Sequence, residues 1–573
     1  MKKVNLSKVL ILIPLTIVLG SCSGLKKMKD LASNAKYEVT PNVLEMNNGE
    51  VNLTISGTFP PKYFNKNAVV TVTPIVKYEG GQIELQSKKL QGEKVQANDQ
   101  VIPYEAGGSF SYSDKFAYKD EMMRSTVEVK VTATVKNNTE ELGSYKVADG
   151  IIVTPKLVRI EPKTVFLPDR YQRTVPVSQS AAILYEINKS NLRPSELKKP
   201  EVKALTSYID SLSKNPRFKV KGIEIASAAS PDGPVKLNTS LAENREATAI
   251  KFLKDQGKKS KLKVLNNDSL LSVLKTPEDW EGFKELMEKS DIKDKDLVLR
   301  VLSMYSDPEV REKEIRNIAE AFEEIKVKIL PQLRRSKFVV KAEAIGYSDD
   351  EFLALAQSNP DIFTLEEILY AANLIKDFNQ KAELYKKAAA KFPNDVRPKN
   401  NLGYVLIQLG RYDEAEAALQ EAQAIENNDA VKTNLGAVAL AKGDLAKAEE
   451  LLTAAVAAGE APNYNLGILN IIKGKYDIAI SYFGNACDYN AALAKLLNKN
   501  YEAAINTIGC SKDESAQAYY LKAILGARTD NSDMVFNNLR TAVAKDIKLK
   551  AYAAKDVEFL KYFEDETFKS IIQ

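Results

Sequence analysis

Three patterns of apolar and polar positions follow one another along the chain. From about Tyr37 to Leu157 the period is two: Val51-Asn-Leu-Thr-Ile-Ser and Ser125-Thr-Val-Glu-Val-Lys-Val-Thr-Ala-Thr-Val alternate, and Ala68-Val-Val-Thr-Val-Thr-Pro is β-branched. Turn residues such as Gly80-Gly81 and Gly107-Gly108 punctuate these runs, which predicts an antiparallel β-sandwich over 37–157. From about 176 to 346 strand and helix periods interchange. Ile183-Leu-Tyr-Glu-Ile is a short strand, and Leu197, Val202, Leu205, Tyr208, Ile209 and Leu212 form a helical stripe. Phe218 to Ile225 is a second strand, Asn238 opens a helix, Leu262 to Leu265 is a third strand, and Ser336 to Ala344 closes the set. The text between, about 266–335, is helical. Thr276-Pro-Glu-Asp279 and Ser306-Asp-Pro-Glu309 each offer a capping oxygen, a proline and acids at a helix start. Trp280 shares a helical face with Phe283 and Leu286, which makes it a core position.

The third pattern, over 362–573, repeats itself. Asn401-Leu-Gly403, Asn434-Leu-Gly436 and Asn465-Leu-Gly467 recur at spacings of 33 and 31 residues. Each is followed by an alanine, an apolar residue and another alanine: Ala415, Leu419 and Ala422; Ala448, Leu452 and Ala455; Ala479, Phe483 and Ala486. This small-residue register resembles tetratricopeptide repeats, in which glycine and alanine let paired helices approach closely. A leading unit is expected at 362–395, further units at 491–511 and 513–546, and a terminal capping helix from Phe559 to Ile572. The resemblance implies an α-solenoid whose concave groove binds a peptide or protein, with Asn401, Asn434 and Asn465 as a ladder of carboxamides along an extended backbone. Bonding of those asparagines within or between their own helices is the alternative. Tyr404, Tyr464 and Ile468 are further groove candidates. Cys487 and Cys510 close adjacent second helices, either paired or free.

The central part carries a second resemblance. Its strand, the Ser227-Ala-Ala-Ser-Pro-Asp-Gly233 loop and the Asn238, Leu241, Arg245, Ala247 helix start are similar to an OmpA-like peptidoglycan-binding domain. That family pairs a loop aspartate with the ammonium of diaminopimelate and a helix arginine with its carboxylate. Arg245 stands at the arginine's position, Ser230 at the aspartate's, and Asp232 is the nearest carboxylate. The resemblance implies an α/β domain with a helical insertion and peptidoglycan as a possible partner. Either Asp232 supplies the second pole, or the wall is held weakly, or the domain docks a protein.

The N-terminus changes where the protein is expected to act. Lys2, Lys3 and Lys8 precede an apolar run too short to span a bilayer, and Leu19-Gly-Ser-Cys22 resembles a bacterial lipobox. Residues 1–21 are then a lipoprotein signal peptide, Cys22 is the lipidated residue, and 22–36 is a linker. Without the acidic export cluster of Bacteroidota surface lipoproteins, the expectation is a lipid anchor in the outer membrane, periplasmic face.

Composition narrows the chemistry. The 573 residues include no histidine, one tryptophan and three cysteines, so histidine triads, proton relays and histidine-ligated metal sites are absent. Losing the signal's three lysines from 81 basic residues leaves 78 against 76 acidic, a net charge of +2. That gives no electrostatic support for a nucleic-acid partner. No glycine-rich phosphate loop or carboxylate cluster appears. The sequence therefore describes a non-enzymatic lipoprotein without cofactor or metal. It is expected to tether to peptidoglycan or a wall-associated partner and recruit proteins through its repeat groove. The alternative is an adaptor of an envelope, secretion or pilus-anchoring complex that does not bind the wall.

Overall fold

The computed structural model describes residues 19–573, with side chains from Gly24 onward. Residues 1–18 of the expected signal peptide, and the side chain of Cys22, lie outside what is described. The chain falls into two compact units, one made of the chain up to Pro168 together with Asp377–Gln573, the other of Asp169–Lys376.

In the first unit the expected sandwich is a single curled sheet. Its main path runs Lys36–Thr40, Glu50–Phe59, Val43–Asn47, Asn138–Ile152, Ser125–Val135, Val69–Tyr78, Lys88–Gly92 and Gln100–Ile102. Strand Val43–Asn47 joins the two leaves, pairing antiparallel with Glu50–Phe59 and parallel with Asn138–Ile152. The two-residue period does what it must: in Ser125–Val135 every odd residue from Ser125 to Val135 is buried and every even one is half-exposed. The stretch expected as a free linker is instead the helix Leu19–Asp30, and its Leu25 and Met28 are 1% exposed inside the sheet's core.

The same unit holds the repeats. Helix Phe378–Lys391 precedes the pairs Val396–Gln408/Tyr412–Ile425, Asp429–Lys442/Leu445–Thr453, Glu460–Ile472/Tyr476–Phe483, Tyr489–Leu497/Tyr501–Cys510 and Ala516–Arg528/Ser532–Lys545. The register residues explain the close pairing. A Cβ on Gly403 would lie 2.4 Å from Leu419, on Gly436 2.7 Å from Leu452, and on Gly467 2.5 Å from Phe483. Only glycine lets the two helices of each pair meet there. The chain ends in three short pieces rather than one capping helix: Lys548–Ala553, the 3₁₀ segment Val557–Tyr562, and Glu566–Ile572. This end locks onto the sheet. Arg528 donates to Glu558 at 2.6 Å and 3.0 Å and to Glu45 at 3.1 Å, Thr154 bonds Glu558, and Arg124 donates to the Ala554 carbonyl at 3.0 Å. The sheet is therefore packed against the repeats. Cys487 and Cys510 form a disulfide.

The second unit is built on a four-stranded mixed sheet, in the order Thr174–Leu184, Arg335–Ile345, Phe218–Ala228, Leu271–Thr276. Helices Pro200–Lys214 and Val235–Lys259 cover it, burying Val202, Leu205, Ile209, Leu212, Ala249, Phe252 and Leu253. Leu262 to Leu265 is not the third strand. Lys263–Asn266 is a 3₁₀ turn, and Leu271–Thr276 takes the edge by parallel pairing with Phe218–Ala228. The helical insertion thus starts later, at Trp280, where Asp279 rather than Thr276 caps the helix by accepting from the Gly282 N–H at 2.8 Å. It has its own core around Phe283, Met287, Val298, Ile325 and Leu333. Helix Leu365–Leu374, expected to lead the repeats, belongs to this unit.

Candidate functional site: a carboxamide ladder and the segment it holds

The first helix of each repeat places its asparagine on the concave side. Asn401, Asn434 and Asn465 are fully buried, and each grips the chain's own segment Val158–Pro168, which crosses the groove in extended form. Asn465 accepts from the Lys163 N–H at 2.7 Å and donates to its carbonyl at 2.8 Å. Asn434 does the same to Val165 at 2.7 and 2.8 Å, and Asn401 to Leu167 at 2.9 and 2.8 Å. In an extended backbone the N–H and C=O of one residue point to one side and those of the next to the other. One carboxamide can therefore satisfy both groups of a residue that faces it, whatever its side chain. Pro162 falls at an even position, where its missing N–H costs no clamp bond.

Two rungs carry no Leu-Gly signature. Asn490 accepts from the Arg159 N–H at 3.0 Å and donates to its carbonyl at 2.9 Å. It lies 25 residues after Asn465, in a shortened repeat without the glycine, so spacing did not find it. Asn400 donates to the Val165 carbonyl at 3.1 Å and accepts from Asn434 at 2.9 Å, tying neighbouring rungs together. Its only sequence signal is the doubled asparagine before Leu402.

Side chains add selectivity at the ends. The Arg159 guanidinium lies 3.8 Å from the Tyr489 ring centroid and donates to both Asp513 and Ser515. Burial opposes ionisation of Asp513, but hydrogen bonds from Ser515 and Arg159 outweigh it and hold the carboxyl below its usual range. Lys163 pairs with Glu460 and sits 4.4 Å from the ring of Tyr464, whose phenol burial pushes up to about 12. Phe166 meets Tyr404 edge-on at 5.7 Å. Ile468 is 0% exposed within the apolar cluster of the repeats, against which Val158 of the segment also packs. Beside the segment runs a cleft of about 770 Å³, bordered by Pro162, Thr164, Tyr404, Gln408, Tyr412 and Glu460.

The residues expected to hold a wall peptide lie in the second unit around one loop, but their charges are already engaged. Arg245 is 1% exposed and donates to the carbonyls of Ala228, Lys189 and Glu186 at 2.9, 3.1 and 3.3 Å. Burial lowers its guanidinium to about 10. Asp232 pairs with Arg334 at 2.9 Å and accepts from Ser230, which is itself buried and accepts from Arg334 at 3.0 Å. Asn238 donates to the Gly233 carbonyl at 2.9 Å and bonds Glu278 at 3.4 Å. Both charges are thus engaged by the chain's own groups. Among the described residues no group of three or more acidic or cysteine side chains is placed to hold a metal ion, and no helix is long and apolar enough to cross a membrane.

The comparisons with known proteins concern the repeats. A tetratricopeptide-repeat family model matches residues 376–433. No curated protein matches the chain. Among solved structures, the Cut9-Hcn1 hetero-tetramer of the APC/C is 14% identical, with a TM-score of 0.32 over 39% of this chain and 46% of that one, so the match spans less than half its length. A tetratricopeptide repeat protein from Parabacteroides merdae is 11% identical, TM-score 0.29, over 39% and 89%. PilW, a type IV pilus biogenesis factor, is 15% identical, TM-score 0.23, over 39% and 89%. The C-terminal region of the chain consists of tetratricopeptide repeats.

Proposed function

We propose that the protein is a non-enzymatic protein–protein adaptor, anchored by lipid on Cys22 to the periplasmic face of a bacterial outer membrane. The observation that carries the reading is the carboxamide ladder, a device that grips extended backbone and leaves the reading of side chains to the groove's walls. Tetratricopeptide arrays expose such surfaces to peptides and proteins. Against a wall tether stands the inward engagement of Arg245 and Asp232, which leaves a zwitterionic wall peptide neither pole. The adaptor is therefore preferred over the OmpA-like tether.

A photo-crosslinking residue at Tyr412, on the open cleft, tests the adaptor in living cells. Discrete adducts that disappear when the residue is moved to Lys387 support it, and no adduct at either site refutes it. Co-sedimentation with purified peptidoglycan sacculi separates the two readings, since the adaptor stays in the supernatant. Metabolic labelling with an alkyne fatty acid checks the anchor, with label expected on the wild-type protein and none on Cys22→Ser.

A further inference from the structure

The groove is filled by the chain itself, and its filling shows what the groove selects. Along the clamp the backbone is held without regard to sequence, but the Arg159 end is different. There three side chains converge on one guanidinium, Tyr489 against its face and Asp513 and Ser515 on separate N–H groups, while Asn490 holds the backbone of the same residue. The ion pair is largely buried, with side-chain exposures of 20% for Arg159 and 21% for Asp513. The pocket is also braced. Cys487 stands three residues before Asn490 and Cys510 three before Asp513, so the disulfide ties the start of helix Tyr489–Leu497 to the turn that carries Asp513 and Ser515. Such a pocket reads arginine in particular. A planar guanidinium stacks on a ring and sends N–H groups to two acceptors at once, whereas an ammonium on a flexible stem does not reproduce both.

The occupant is held locally. Residues 158–167 lie outside the helices and strands, are half-exposed or exposed, and are hydrogen-bonded chiefly through the asparagines, with Val158 packed on the repeats' apolar core, Lys163 paired with Glu460 and Phe166 against Tyr404. We propose that the Tyr489/Asn490/Asp513/Ser515 pocket is an arginine-selecting anchor, and that segment 158–168 is a resident peptide exchangeable for a partner's extended segment bearing arginine in register with Arg159. The proposal deepens the adaptor reading and rests on it: the partner is an extended peptide with arginine at its first clamped residue and no proline at the clamped positions.

The test uses full-length protein and a fluorescent peptide with the sequence of residues 157–168. Arg159→Ala weakens the resident segment, and this chain is expected to bind the peptide by anisotropy. Changing the peptide's arginine to lysine should weaken binding about tenfold. Asp513→Asn, added to Arg159→Ala, should erase that difference, and Asn434→Ala should abolish binding. In the wild-type chain, saturating peptide should speed hydrogen exchange at the Lys163, Val165 and Leu167 amides as the segment leaves, a readout that needs no variant to fold. Equal binding of arginine and lysine peptides overturns the arginine anchor. Unchanged exchange in the wild type, with no binding by a folded Arg159→Ala chain, overturns the exchange. Crosslinks still formed at Tyr412 in that case would leave the adaptor reading standing.

Discussion

Replacing Asn434 by alanine tests whether the ladder seats its segment as one unit. The substitution removes both bonds to Val165 and the bond to Asn400. Asn434 is 0% exposed, so the groups it leaves cannot all find water from its side. At about 1 kcal/mol for each bond replaced by water and up to about 3 kcal/mol for a group left dry, the loss is about 3 kcal/mol, or roughly a hundredfold in the opening equilibrium of the segment. Val165 itself is uninformative, because its N–H loses its acceptor whatever happens elsewhere. The informative amides are Lys163 and Leu167, which keep Asn465 and Asn401. If the segment opens cooperatively, hydrogen exchange should accelerate there by one to two orders of magnitude. Asn470→Ala is the control. Asn470 is equally a buried first-helix asparagine, but it donates only to the Leu466 carbonyl one turn back in its own helix. Exchange at Lys163 and Leu167 that changes less than about threefold in Asn434→Ala, or as much in Asn470→Ala, would refute the cooperative clamp.

Reduction should weaken the same end of the groove. Opening the Cys487–Cys510 bond, whose ends are 23 positions apart in sequence, costs about 3 kcal/mol on chain-entropy grounds, so dithiothreitol should lower the thermal midpoint and a Cys487→Ser/Cys510→Ser chain should show no further effect of it. Arg245→Met should destabilise the second unit by about 3 kcal/mol, since three carbonyls lose their donor; unchanged melting would mean the arginine is held for a ligand instead. Asp556 predicts a pH dependence. Burial, and then the charge of Glu558, raise its carboxyl from 3.8 to about 7. Between those values the unfolded chain has released a proton that the folded chain keeps, so this group's contribution to stability falls as pH rises from about 4 to 7 and is flat above. Asp556→Asn, whose amide can still accept from the Glu558 N–H and donate to Tyr520, should be more stable than wild type at pH 8 and lose that advantage at pH 4, as read by urea melts at the two pH values.

Periodicity made much of the fold legible and left the long-range choices dark. Alternation over Ser125–Val135 and the glycine–leucine register of the repeats follow from local geometry, because each pattern states which face of one element is buried. The edge strand is not legible in the sequence, because Leu262-Lys-Val-Leu265 is apolar enough for either state, while Leu271–Thr276 leaves most of its side chains exposed and so looks unlike a strand. The helix that runs through the expected linker after Cys22 leaves little trace in the sequence, because two buried residues, Leu25 and Met28, make too short a stripe to announce a docked helix. Asn401, Asn434 and Asn465 could be read from spacing, and Asn490 could not. Nothing in the local text of Val158–Pro168 says that it lies in a groove more than 230 residues away in sequence from Asn401, since its two-residue rhythm of clamping is recorded in backbone atoms and not in side chains.

Both sites that motifs point to are occupied by the chain's own backbone, and the difference between them decides what each can do. Arg245 reaches three carbonyls from inside a core, at 1% exposure, where freeing the guanidinium would strand a buried charge and three acceptors together. No incoming peptide can meet that cost one step at a time. The resident segment of the groove is replaceable residue by residue, because each asparagine offers an arriving backbone the same two bonds it gives the departing one. Exchange there alters the total of hydrogen bonds little, so the outcome falls to the few side-chain contacts that differ, foremost the stack and ion pair at Arg159. A sequence-tolerant clamp with one discriminating end binds any extended chain loosely and the right one selectively. Under the adaptor proposal, the repeats rather than the Arg245 loop are the place to look for this protein's partner.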